Sequence, residues 1–144
     1  MGRTNRPMAQ VIDASVAVAW FARAQADAFT DALLIETENN GGHVPAQFRF
    51  EVVHSLMRLR RRGTFDQLDL DGFVLALCSL PLEVDAAYDA TGMVKLYDFA
   101  RRYNLKIYDA AYLELALRTG LPLATRDNAL ARAAEKAGAI LFKH

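Results

Sequence analysis

Four acidic residues distributed along the chain, Asp13, Glu51, Asp109 and Asp127, are the ones whose type and setting could do chemistry. Three of them follow short apolar runs that read as buried strands. Val11-Ile12 precedes Asp13, Lys106-Ile107-Tyr108 precedes Asp109, and Pro122-Leu123-Ala124 shortly precedes Asp127. In an open parallel sheet, ligands bind beyond the carboxyl ends of the strands. Three carboxylates at such ends would converge on one crevice. Like charges so placed raise one another's pKa until a cation neutralises them. Hard divalent cations take oxygen ligands, and Mg²⁺ binds through one or two carboxylates while keeping several waters. The pattern predicts a metal-dependent site acting on a phosphoryl group.

The elements that must position these acids alternate between short apolar stretches and longer amphipathic ones. Strands are expected at 9–12, 43–44, 82–84, 121–124 and 139–142, and a strand or extended segment at 105–108. Helices are expected at 15–21, 24–38, 47–62, 66–80, 87–103, 109–118 and 128–136. Asn39-Asn40-Gly41-Gly42, Gly63, Pro81 and Thr119-Gly120 supply stop signals. Such alternation predicts a parallel sheet covered by helices on both faces. A single domain over 8–144 is expected, after an N-terminal tail at 1–7.

Each acid has a plainer reading beside the chemical one. Aspartate is a preferred helix N-cap, and Asp13, Asp109 and Asp127 all stand where helices are expected to begin. Capping and ligation are compatible, because a capping carboxylate can keep an oxygen free for a cation. Glu51 lies inside the 47–62 helix. At ~100° per residue it falls on the polar arc with Gln47, His54, Ser55, Arg58, Arg61 and Arg62, where a solvated glutamate is the ordinary reading. The opposite apolar arc is broad, and Phe50 and Met57 on it could serve a subunit interface.

Ser15 and Thr125 each lie two residues from an aspartate of the set, where a hydroxyl could orient a carboxylate or cap a helix locally. His43, His54 and His144 show no ligand spacing. Arg58, Arg60, Arg61 and Arg62 form the densest basic cluster, with Arg101, Arg102 and Arg126 further on as candidates to extend it. Its readings are a solvated helix end, phosphate contact near the acids, or docking of an acidic partner.

The 144 residues are 53% hydrophobic, enough for a real core, and 17 basic residues balance 17 acidic ones. Net charge therefore offers no general attraction to nucleic acid, and any such contact must come from a local patch. Cys78 stands alone within Phe73-Val74-Leu75-Ala76-Leu77-Cys78 and is expected to be a small buried hydrophobe in a reducing compartment. No stretch approaches the ~20 apolar residues of a membrane span, and a soluble, cytoplasmic protein is expected.

At the acidic residues the chain resembles the PIN domain family, and within it the VapC toxins of bacterial toxin–antitoxin pairs. The resemblance is carried by Val11-Ile12-Asp13-Ala14-Ser15-Val16, by Val44-Pro45 with Phe50-Glu51-Val52-Val53, by Ile107-Tyr108-Asp109-Ala110-Ala111-Tyr112-Leu113, and by Leu123-Ala124-Thr125-Arg126-Asp127-Asn128-Ala129-Leu130. It extends from about Val11 to Phe142. It implies a three-layer α/β/α sandwich with a central, mainly parallel sheet, and an endoribonuclease dependent on Mg²⁺ or Mn²⁺. Asp13, Glu51, Asp109 and Asp127 are then the catalytic metal ligands, and Ser15 and Thr125 match polar positions near that site. Homodimerisation and inhibition by a small VapB-type antitoxin are also implied, with Arg58, Arg61, Arg62 and Arg126 available for RNA or antitoxin. His54 departs from the pattern, standing where relatives often carry asparagine.

The expected reaction is hydrolysis of an RNA phosphodiester by metal-activated water. It needs no side-chain nucleophile, and no nucleophile elbow, phosphate-binding loop or dinucleotide fingerprint occurs here. A phosphatase of the haloacid dehalogenase type would need a second acid two residues after Asp13, where Ser15 stands. A phosphoacceptor module would need an aspartate after its third strand, for which Leu82-Glu83-Val84-Asp85 is a poor substitute. The remaining alternative is a catalytically degenerate PIN-like interaction module.

Overall fold

In the computed structural model, which describes residues 9–143, β1 (Gln10–Ile12) occupies an interior place in a four-stranded parallel sheet. The others are β2 (Gly42–Val44), β3 (Leu82–Val84) and β4 (Leu123–Ala124), in the order β3-β2-β1-β4. Val11 lies opposite both His43 and Leu123, and Val11 and Ile12 have no solvent exposure. Parallel neighbours require crossover connections, usually helical. Here these are α1 (Ala14–Phe21), α2 (Ala28–Asn40), α3 (Phe48–Arg61), α4 (Gln67–Ser79), α5 (Ala90–Tyr103) and α6 (Ile107–Thr119). α7 (Asn128–Ala137) follows β4. The helices sandwich the sheet in a three-layer α/β/α arrangement. α1 packs on α2 and α3, while α6 packs on α5, α7, β1 and β4.

The winding matters for function. The chain runs outward from β1 to β2 and β3, then returns to the other side of β1 as β4. The strand order reverses between β1 and β4, and the carboxyl end of such a switch point is where an open α/β sheet leaves a crevice. The Asp13 amide donates to the Ala124 carbonyl at 3.0 Å, tying the two strand ends together beside that crevice.

Close approach in the middle of the sheet explains one glycine. A Cβ on Gly42 would lie 2.4 Å from Ile12 Cδ1 and 3.1 Å from Leu82 Cδ2, both side chains packed in the core. Overpacking of this kind typically costs about 1–3 kcal/mol. Gly42→Ala is expected to lose that much stability in urea unfolding, and an unchanged midpoint would show that the two side chains yield freely.

Several expectations need correction. Residues 105–108 form no strand. Asn104 ends α5 in the left-handed conformation (φ 52°), and α6 begins at Ile107 with Lys106 as its N-cap. Asp109 therefore sits in the first turn of α6 and neither follows a strand nor caps the helix. The second helix begins at Ala28, after a 3₁₀ turn at Arg23–Gln25, because Asp27 and Thr30 form a reciprocal capping box. The final expected strand reduces to one parallel bridge between Leu123 and Leu141. Cys78 is exposed: α4 turns Leu70 and Leu77 inward, and the neighbouring residue points to solvent. The tail expected at 1–7 and His144 lie outside the described residues. Among those described, no helix is long and apolar enough to cross a membrane.

Candidate active site

Local backbone chemistry delivers each acid to the crevice. Asp13 follows β1 in extended conformation (φ −71°, ψ 138°) and stands at the N-cap of α1, yet its side chain makes no capping hydrogen bond. Its carboxylate is instead held sideways. Ser15 Oγ donates to Asp13 Oδ2 at 2.9 Å, and Thr125 Oγ1 donates to the same oxygen at 2.8 Å. Thr125 Oγ1 also accepts from the Asp127 amide at 3.0 Å. One threonine thus links the acid after β1 to the acid after β4. Asp127 does cap α7, with Oδ1 accepting from the Leu130 amide at 3.1 Å, so that oxygen is shared with structural work.

Glu51 stands in the first turn of α3 and Asp109 in the first turn of α6. The two helix starts are joined by Gln47, whose Nε2 donates to the Tyr108 carbonyl at 3.3 Å. Beneath them Tyr112, fully buried, directs its hydroxyl at Glu51 Oε1 over 3.4 Å. All four acids line a single cleft of ≈ 430 Å³, together with Ser15, Ser55 and Arg126.

The electrostatics follow from that crowding. Asp13 is only 6% exposed, and burial raises its carboxyl pKa while the Thr125 and Ser15 hydroxyls oppose the rise. Burial also raises Asp109, helped by the charges of Asp13 and Asp127. Among the acids Glu51 moves furthest, from an ordinary 4.5 to about 7, through burial first and the Asp13 charge second. Burial pushes the Tyr112 phenol up, and the Glu51 charge adds to that, so the phenol stays protonated and can donate. Like-charged carboxylates with raised pKa values form a site that takes up cations, whether protons or metal ions.

The donor set fits a hard divalent ion, since every ligand offered is oxygen and the excess charge is negative. Among the described residues, no three acidic, histidine or cysteine side chains close a ready-made cage around one point.

The basic residues divide. Arg126 borders the acidic cleft but is fastened to the α2 entry, where Nη1 donates to the Gln25 carbonyl at 2.8 Å and to Asp27 Oδ2 at 3.2 Å. Arg58 and Arg62 line an adjoining cavity of ≈ 280 Å³ that shares Ser15, Ser55 and Arg126 with the acidic cleft. Arg60 and Arg61 line a different groove, between α3 and α4, with Met57 and Leu75. His54 is exposed and does not border the acids, and His43 pairs with Glu83 at 3.2 Å. Two members of the site, Ser55 and Tyr112, are not marked as site residues by the sequence, although Ser55 shares the polar arc of Glu51. Ser55 follows Glu51 by four residues and Tyr112 follows Asp109 by three, spacings that place each on its acid's helix face.

A PIN domain family model matches residues 11–136 of the chain. "Ribonuclease VapC3" of Mycobacterium tuberculosis is 33% identical over 139 residues, covering 95% of this chain and 96% of that protein. "Ribonuclease VapC1" of the same organism is 33% identical over 124 residues, covering 85% and 89%. Among solved structures, PAE2754 from Pyrobaculum aerophilum superposes with a TM-score of 0.69 at 22% identity, covering 92% of this chain and 90% of that one. FitAcB from Neisseria gonorrhoeae superposes with a TM-score of 0.63 at 15% identity, covering 92% and 96%. At such identities the two structures speak for the fold alone.

Proposed function

This chain belongs to the PIN domain family, and we propose that it is an endoribonuclease toxin of the VapC type, dependent on Mg²⁺ or Mn²⁺. A single catalytic domain spanning 8–144 is part of that proposal. The observation that supports the reading most is the gathering of Asp13, Glu51, Asp109 and Asp127 around one cleft at the sheet's switch point.

The four acids are proposed as the metal ligands. The ion, when bound, would supply Lewis acidity, lowering the pKa of a water and neutralising charge on the phosphoryl group. The chain's own part is orientation. Ser15 and Thr125 fix the Asp13 carboxylate, and Tyr112 steadies Glu51 from below. Glu51, with a pKa of about 7, can take up or release a proton near neutral pH, so the charge of the cleft adjusts to what it holds. Single-stranded or looped RNA is the expected substrate, because its backbone and unstacked bases are accessible.

Inhibition by a small VapB-type antitoxin is part of the same proposal. So is a homodimer, supported by large apolar side chains left in solvent, including Phe50 at 80% and Tyr97 at 62% exposure. Purified protein incubated with a mixed RNA pool tests the enzyme directly. Cleavage should appear with Mg²⁺ or Mn²⁺ and vanish with a chelator. Intact RNA under all conditions would leave a PIN-like interaction module as the function.

The hydroxyls that position Asp13 give a graded prediction. Groups that orient a metal ligand are worth 10–100-fold in metal affinity or activity. Thr125→Ala is expected to raise the Mg²⁺ concentration for half-maximal cleavage by about that factor, with partial rescue at high Mg²⁺, whereas Thr125→Ser should stay near wild type. A Thr125→Ala enzyme with an unchanged Mg²⁺ requirement would remove the positioning role.

A further inference from the structure

α3 carries opposite charges along one side of a single helix. Glu51, Ser55, Arg58 and Arg62 follow one another at spacings of four, three and four residues, which keeps them on one face. The acidic end of this stripe enters the acidic cleft, and the basic end enters the adjoining cavity. Seven residues separate Glu51 from Arg58, a rise of about 10 Å along the helix. The two cavities are continuous in their walls, since Ser15, Ser55 and Arg126 belong to both.

Among the described residues, neither Arg58 nor Arg62 makes an ion pair or side-chain hydrogen bond, and both are exposed. Arg126, by contrast, is steered to the boundary by the Gln25 carbonyl and Asp27. Three guanidinium groups thus face a cavity that borders four carboxylates. An arginine fork matches phosphate geometry, and its charge persists at any physiological pH. A chain with 17 basic and 17 acidic residues has no general field to hold a polyanion. A local basic site beside the acids is where retention must come from.

We propose that the cavity lined by Arg58, Arg62 and Arg126 binds a backbone phosphate of single-stranded RNA, one or two nucleotides from the phosphate cleaved at the acidic cleft. The proposal deepens the ribonuclease reading and rests on it. It gives the substrate track a direction: RNA must extend past the cleavage point towards the C-terminal end of α3, and the anchor contacts no base. The subsite therefore contributes affinity and register without sequence preference.

The helix itself supplies the control. Arg60 and Arg61 add the same two charges one step away but line the groove between α3 and α4. Binding of a fluorescent eight-nucleotide single-stranded RNA is measured by anisotropy on the full chain, with Ca²⁺ in place of Mg²⁺ to neutralise the cleft. The Arg58→Gln/Arg62→Gln variant is expected to weaken binding roughly tenfold or more. It should also flatten the slope of log K against log salt by about 1.4, the single-strand value for two lost phosphate contacts. Arg60→Gln/Arg61→Gln should change neither quantity. Equal losses in both pairs, or none in the first, would overturn the subsite in favour of diffuse attraction or of no contact.

Methylphosphonate replacement of one phosphate at a time supplies a second readout. One position should reproduce the loss, and that position should add nothing further in the Arg58→Gln/Arg62→Gln protein; uniform losses along the strand would overturn the subsite. Cleavage with Mg²⁺ is scored separately. Binding that depends on Arg58 and Arg62 without any cleavage supports the subsite and removes the catalytic reading.

Discussion

Asp13→Asn is expected to abolish RNA cleavage while leaving the protein at least as stable as before. A divalent ion contributes several kcal/mol to stabilising charge at a transferring phosphoryl group. At 1.36 kcal/mol per decade, losing about 4 kcal/mol lowers the rate by ~10³. Asparagine keeps the shape of the side chain, and the Ser15 and Thr125 hydroxyls can turn to meet its oxygen. It also removes a buried charge whose pKa is raised by that burial, so the fold no longer holds an ion that it disfavours. Cleavage of an RNA pool and thermal melting of the same preparation form the test. Residual cleavage within tenfold of wild type would rule Asp13 out as a ligand, and a collapse in melting temperature would reassign it to structure.

The second large effect concerns Glu51 and has opposite signs for activity and stability. Its pKa is about 7 in the folded protein against an ordinary 4.5, so between those values the folded state holds a proton that the unfolded state has released. Stability of the metal-free protein therefore falls as pH rises from 4.5, and the deficit is complete above about 7. The full shift corresponds to roughly 3 kcal/mol. Glu51 is half-exposed, and solvent screening reduces this to about 1–2 kcal/mol. Glu51→Gln removes the deficit. Without metal at pH 8 it should melt several degrees above wild type, and the two should converge near pH 4.5. Mg²⁺ should stabilise wild type and leave the variant nearly unmoved, and cleavage by the variant should be lost. A variant that melts below wild type at pH 8 would show that Glu51 is a structural acid.

Much of the architecture is legible because it is written in short-range chemistry. Asp66 and Asp69 exchange capping hydrogen bonds at the start of α4, Gly41 ends α2, and Gly120 and Gly138 end α6 and α7 with positive φ. β1 and β2 are short buried runs between such signals. The first turn of α6 is harder. Leu105-Lys106-Ile107-Tyr108 combines β-branched and aromatic residues over a length at which strand and buried helix look alike. Its second half packs as helix, because Asn104 turns the chain sharply and Ile107 joins Leu96, Ala100 and Ala110 in a small core of their own, while Leu105 and Lys106 stay outside α6. The run forms no strand, with an extended backbone at Lys106, yet Asp109 reaches the cleft from a first helical turn. The α2 boundary shifted for a reason that could have been read: Asp27 and Thr30 have capping-box spacing.

At the site, the acids stand out by type, but the groups that support them do not. Tyr112 looks like an ordinary core aromatic, and its hydroxyl acquires meaning only when the fold brings Glu51 of α3 within its reach. The arginines illustrate the same limit. Composition shows one cluster, while the helix splits it, sending Arg58 and Arg62 to the cleft's neighbour and Arg60 and Arg61 to another groove.

The outward-facing position of Cys78 on α4 bears on how self-association must be measured. It is the chain's sole thiol and it is open to solvent, so air oxidation can join two copies into a covalent pair. Such a species would run at twice the mass in gel filtration and imitate a natural dimer. Sizing experiments therefore belong in reductant, or on a Cys78→Ser protein, before any twofold assembly is credited to Phe50 and its neighbours.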